Sequence, residues 1–228
     1  FSSITLGRDT TRIDLPLLMV VVLVTWFLLN DLELSRSNSL VLLGMLALFF
    51  FRVAQHAWQS NDGIEAREIP TLTLPLAWLS FLGGLVLLIA SSRILVWAAS
   101  HIATELGVSE LVIGLTIVAV GTSLPELTAS VMSALKGHAD MAVGAIVGSN
   151  MFNILLVLAI PGLWGSISLQ AAVVSRDMVA VFLTTLVLAL TALWRWNGAS
   201  GSSTLGRGTG LLLLSLYIAY YGWLFLVP

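Results

Sequence analysis

The sequence has no cysteine, so neither a disulfide framework nor a thiolate metal site is open to it. Charge is scarce too: Asp, Glu, Lys and Arg make up 10% of the 228 residues, against about a quarter in soluble domains. Histidine occurs three times, as His56, His101 and His138, each near the end of an apolar run and none paired at metal-ligand spacing. Residues 1 to 14 lack the basic, apolar, small-residue order of a signal peptide and read as a polar loop. What remains is 58% hydrophobic with a mean hydropathy of +1.00, the composition of an all-α polytopic membrane protein. The net charge of −2 says little, because the distribution of Lys and Arg between loops matters more than their sum.

Seven apolar runs are long enough to be read as membrane spans: Leu15 to Leu29, Ser39 to Ala54, Leu76 to Ala99, Leu111 to Leu135, Met141 to Leu163, Met178 to Trp196 and Gly210 to Val227. The first two fall short of the roughly 20 residues a perpendicular helix needs, so their helices are expected to extend into polar flanks. Arg93 lies far enough along the third run to snorkel to the interface as an anchor. The polar stretch Gln55 to Thr71 is the longest connection and marks the boundary between residues 1–71 and 72–228.

Parts of the chain repeat. Leu34-Ser35-Arg36-Ser37-Asn38-Ser39-Leu40 resembles Leu205-Gly206-Arg207-Gly208-Thr209-Gly210-Leu211, 171 residues later. Upstream, Ser3-Ile4-Thr5-Leu6 resembles Ser166-Ile167-Ser168-Leu169, and Arg12-Ile13-Asp14 resembles Arg176-Asp177. The first two spans therefore read as copies of the last two, which makes residues 1–71 the end of a first repeat with the inter-repeat loop, and 72–228 a complete second repeat of five spans. Partners for spans three to five would precede Phe1, so about seven helices are present of an expected ten. An odd number of spans per repeat forces the copies to cross the membrane in opposite senses, an inverted-repeat plan. Arg8, Arg12, Arg52, Arg67, Lys136, Arg195 and Arg207 fall on one side and Arg36 and Arg176 on the other. Seven against two assigns the first side, including the inter-repeat loop, to the cytoplasm.

The fourth span carries Gly121-Thr122-Ser123-Leu124-Pro125-Glu126, which places hydroxyls, a proline and a carboxylate inside hydrocarbon. Of twelve acidic residues only Glu126 lies well inside a span, so its burial needs a partner. Pro125 lacks an N–H, so a kink is expected that leaves carbonyls around Ala119 to Gly121 without donors. Thr122 and Glu126 are four apart on one face, with Ser123 beside them; on the fifth span Ser149 and Asn153 are again four apart. Gly144 and Gly148 form a small-xxx-small pair suited to close helix approach or to the site. Carbonyl, hydroxyl, amide and carboxylate oxygens are hard donors, suited to Ca²⁺, Na⁺ or Mg²⁺.

Gly114-Leu115-Thr116-Ile117-Val118-Ala119-Val120-Gly121-Thr122-Ser123-Leu124-Pro125-Glu126, together with Ala142 through Asn153, resembles the second α-repeat of the sodium/calcium exchanger family, in the calcium:cation antiporter superfamily. The resemblance implies a fold of ten helices in two inverted five-helix repeats with both termini outside. It implies that Glu126 ligates Ca²⁺ and Na⁺, that Thr122, Ser123 and the Ala119 carbonyl complete sites on the same helix, and that Ser149 and Asn153 contribute from the next. Asn153 stands where some relatives carry aspartate, so stoichiometry and any use of K⁺ or H⁺ do not carry over.

The resulting expectation is a secondary antiporter in the plasma (inner) membrane that exchanges Ca²⁺ for Na⁺ through a midplane oxygen site. Its ligands are the transported ions with no cofactor, and the missing first-repeat helices would come from upstream sequence or a second chain. A proton- or potassium-coupled exchanger is the alternative of the same class. A hydrolase using Ser123 or Glu126 is disfavoured because no activating base lies in any span. A non-transporting membrane subunit, with the polar motif as helix glue, predicts that Glu126→Gln impairs assembly alone.

Overall fold

The computed structural model describes residues 4–59, 73–108 and 110–226. Most of the expected inter-repeat loop, residues 60–71, lies outside them. The chain divides into two compact units, Phe1–Gln59 with Ser133–Pro228, and Ser60–Met132. Among the described residues five helices are long and apolar enough to cross a membrane: Thr10–Leu28, Arg36–Gln55, Leu74–Glu105, Ala139–Trp164 and Val173–Trp194. A bent pair, Thr116–Thr122 with Leu124–Leu135, makes a sixth if counted as one span. The seventh expected span coincides with a 20-residue helix, Arg207–Leu226.

In the first unit, helix α1 (Leu15–Leu28) continues a π-helical turn over Thr10–Asp14, and α2 covers Arg36–Gln59. The two spans whose apolar runs looked short thus reach 19 and 20 residues by taking in polar flanks. Helix α1 packs on α9 (Met178–Trp194) and on α7 (Ala139–Phe152). After α7 a π-helical turn, Asn153–Val157, leads to the short α8 (Ala159–Trp164), which packs against α2. The core row on this span is Val143, Val147, Met151, Leu155 and Ala159, one residue every four. Strict four-residue spacing drifts around an ordinary α-helix of 3.6 residues per turn. The wider π turn takes up part of that drift and keeps Leu155 and Ala159 inward. Close approach is reached at Gly162, where a Cβ would collide with Ser39 Oγ on α2. At Gly144 and Gly148 no packing neighbour among the described residues lies within 4 Å of where a Cβ would stand.

Short strands close both ends of this unit. At one end β1 (Ile4–Leu6) pairs antiparallel with β5 (Ser202–Leu205), which also pairs with β4 (Trp196–Asn197); at the other, β2 (Glu33–Leu34) pairs with β3 (Ile167–Ser168). The registers are Ile4 opposite Leu205 with Thr5 opposite Thr204, and Leu34 opposite Ile167 with Glu33 opposite Ser168. Ile4 and Ile167 occupy equivalent places in the sequence repeat, as do Leu34 and Leu205. One pairing therefore becomes the other when the repeats are exchanged. The π turns Thr10–Asp14 and Val173–Asp177 precede α1 and α9 in the same way. The pairing also brings residues 4–6 to the same end as 196–205, as the count of intervening spans requires.

In the second unit, α3 (Leu74–Glu105) runs for 32 residues, about 48 Å at 1.5 Å per residue. It overruns the expected Leu76 to Ala99 because the polar turn through Thr104 and Glu105 stays helical until Gly107. That residue, at φ +80°, donates to the Thr104 carbonyl while Val108 donates to Ala103, a Schellman ending. Helix α3 packs against α4 (Glu110–Ile113), a π turn over Gly114–Val118 and α5 (Ala119–Thr122). Helix α6 (Leu124–Leu135) follows after a single residue, Ser123.

Candidate ion-binding site

The polar motif sits where α5 ends and α6 begins. The two segments meet at 49° across Ser123, whose φ and ψ are −90° and −1°. Pro125 occupies the first turn of α6, where a missing N–H leaves no intrahelical bond unmade. The span is therefore two helices end to end, broken as the sequence predicts. Ser123 donates its N–H to the Val120 carbonyl at 3.1 Å, and its own carbonyl accepts the first bond of α6 from Leu127 at 2.9 Å.

The freed carbonyls are not without donors, contrary to the sequence expectation. Thr122 Oγ1 donates to the Ala119 carbonyl at 3.1 Å, and Ser92 Oγ, on α3, donates to the Gly121 carbonyl at 2.7 Å. A carbonyl has two lone pairs and a hydroxyl keeps its own while donating, so Ala119 O and Thr122 Oγ1 retain acceptor capacity toward a cation. Glu126 lies in the first turn of α6, where the helix dipole favours a carboxylate. Within this chain its side chain is exposed, as are those of Ala119, Thr122 and Ser123. Gly121 is buried against Val96, into whose side chain a Cβ would run.

A cavity of about 560 Å³ beside the break is lined by Ser92, Arg93, Val96, Gly121, Thr122 and Pro125, among others. Arg93, read from sequence as an interfacial anchor, therefore borders the motif; its place in the cavity followed from the α3 packing, which no sequence signal announced.

Ser149 and Asn153 belong to the first unit. Ser149 is half-buried and Asn153 exposed, and the Asn153 carbonyl accepts the Leu158 N–H at 2.9 Å as the π turn opens. Thus Ala119, Thr122, Ser123 and Glu126 lie together on one broken span, and Ser149 and Asn153 lie one turn apart at the start of another π turn. Among the described residues no three of His, Cys, Asp and Glu cluster. These two spans therefore offer one carboxylate with neutral oxygens among the candidate residues.

The sequence model for sodium/calcium exchanger proteins matches residues 76–226. The chain belongs to the sodium/calcium exchanger family. CaxA of Alkalimonas amylolytica is 37% identical over 230 residues, which cover 97% of this chain and 70% of that protein. The inner membrane protein YrbG of Escherichia coli K12 is 34% identical over 229 residues, 97% of this chain and 69% of its own. Among solved structures the sodium-calcium exchanger NCX_Mj, soaked with Na⁺ and Sr²⁺, superposes with a TM-score of 0.75 at 27% identity, covering 97% of this chain and 68% of that one. This exchanger is accordingly an integral membrane protein with the family's fold, and a secondary cation antiporter by family.

Proposed function

We propose that this exchanger moves Ca²⁺ against Na⁺ across the inner membrane, the two ions competing for one set of oxygens. The observation that carries the reading is the break at Ser123, which interrupts an apolar span and exposes the Thr122 hydroxyl and the Glu126 carboxylate together. Irregular backbone at membrane depth is tolerated where it lines a cavity or a ligand site. Glu126 neutralises cation charge; the Ala119 carbonyl, Thr122 and Ser123 replace hydration water. Ser149 and Asn153 supply further oxygens, and a matching set comes from the first repeat, which ends in residues 1–71 while 72–228 form the second. The names of YrbG and NCX_Mj support the membrane and the ions respectively. No bond is made or broken in the cycle; alternate opening to the two sides moves the ions.

The test is ⁴⁵Ca²⁺ uptake by the full-length protein in proteoliposomes under an imposed Na⁺ gradient, with Glu126→Gln as the paired control. Uptake that requires the gradient and is lost in the variant is expected. Uptake that instead follows a pH or K⁺ gradient would assign the coupling ion otherwise. No flux from a folded protein under any of the three gradients would sink the exchange reading.

A further inference from the structure

The geometry points to Ser92 as a positioning residue for the ion site, an inference that rests on the exchange reading above. Helix α3 is long and sparsely packed: Ser92 and Ala103 are the residues buried along it. Ser92 is also where α3 makes a polar contact with the broken span, its hydroxyl donating to the Gly121 carbonyl at 2.7 Å in a buried position.

That carbonyl lacks the i+4 backbone donor of a continuous helix. In a continuous helix it would accept the N–H of the residue four further on, and that residue is Pro125, which has none. A buried backbone carbonyl without a donor is costly, and water is scarce at membrane depth. Ser92 supplies the donor from outside the helix, so the Gly121 carbonyl is satisfied without recruiting the Ser123 hydroxyl or turning Thr122 away from the Ala119 carbonyl. If the Gly121 carbonyl had no external partner, the neighbouring hydroxyls would be free to turn toward it, which would reorient their lone pairs relative to a cation.

Three features of the local packing are built around this bond. Gly121 lacks the Cβ that would strike Val96, one turn along α3 from Ser92, so the two backbones approach closely enough for a serine to reach. Gly121 is immediately followed by Thr122, so fixing its carbonyl fixes the peptide plane from which Thr122 projects. Thr122 in turn donates to the Ala119 carbonyl at 3.1 Å, which ties the Ser92 contact to two proposed ligands within one helical turn. Ser92 itself touches no ion in this arrangement. It acts through the backbone.

The experiment compares full-length wild type, Ser92→Ala and Ser92→Thr, measuring Na⁺-driven ⁴⁵Ca²⁺ flux and equilibrium ⁴⁵Ca²⁺ binding, with thermal unfolding in ion-free detergent as the fold control. Ser92→Ala is expected to raise the half-saturating Ca²⁺ concentration about fivefold in both assays, the size of one neutral hydrogen bond, with ion-free unfolding at a somewhat lower temperature because the Gly121 carbonyl is left unpaired. Ser92→Thr, which keeps a hydroxyl, should recover most of the affinity. Wild-type half-saturation in Ser92→Ala overturns the inference. So does a fall in maximal rate and thermal stability with half-saturation unchanged, or a Ser92→Thr protein no better than the alanine variant. Failure of the wild type to bind or carry Ca²⁺ instead overturns the exchange reading, and the positioning role falls with it.

Discussion

A carboxylate in an apolar run is tolerable when something meets its charge, and Glu126 was legible from sequence on that ground alone. Its surroundings were less so. Placing it at the start of α6, exposed and in the field of a helix N-terminus, depended on the break falling at Ser123 instead of one turn later. For a carbonyl and hydroxyl ligand pair the side-chain oxygen is the one mutation can remove: Thr122→Val should raise the half-saturating Ca²⁺ concentration by roughly three- to tenfold, the worth of one polar contact, in the flux assay. Gly121 offers a steric test. Gly121→Ala sets a methyl against Val96 and should cost about 1–3 kcal/mol of overpacking, read as lower thermal stability; Val96→Ala in the same protein should restore most of it. Glycine at this position reads from sequence as one small residue among nineteen, and only its neighbour on α3 gives it a role.

At the scale of elements, the proline signal worked because its physics is local. Missing N–H and ring clash act within one turn, so Pro125 marked the break without knowledge of any partner. Pro125→Ala returns the N–H that a continuous helix would give to the Gly121 carbonyl, in competition with Ser92, and should straighten the span. The expected outcome is folded, membrane-inserted protein with flux reduced at least tenfold, checked by uptake against surface expression. Helix ends and helix contacts followed other rules. The extra length of α3 depended on Gly107 adopting φ +80°, and the π turns depended on core packing; neither has a strong sequence signature. Among the described residues a close approach occurs at Gly162 on Ser39, which the small-residue pair Gly144 and Gly148 did not mark, because spacing shows where a helix is thin and leaves open what lies beside it.

For the whole molecule, the repeat read from short loop similarities reappears as geometry in the two strand pairings. The absence of cysteine from these 228 residues helps to make this testable. Directly opposed residues of antiparallel strands lie about 4.5–5.5 Å apart at Cα, within disulfide range. Thr5→Cys with Thr204→Cys, and Glu33→Cys with Ser168→Cys, should therefore each cross-link on mild oxidation. With inverted repeats the two bridges sit on opposite faces, so a membrane-impermeant reductant applied outside intact cells should open the second and spare the first.

The sequence by itself determined that the chain lives in a membrane, roughly where it crosses, where the fourth span breaks, and which oxygens lie near the break. Each of these depends on composition or on interactions within a turn or two of the same helix. The tertiary structure alone decided that Ser92 satisfies Gly121, that Arg93 borders the motif, and that strand registers match across the repeats. Those facts depend on which distant segment is adjacent, and adjacency across a bundle is set by the packing of whole faces, which no local pattern records.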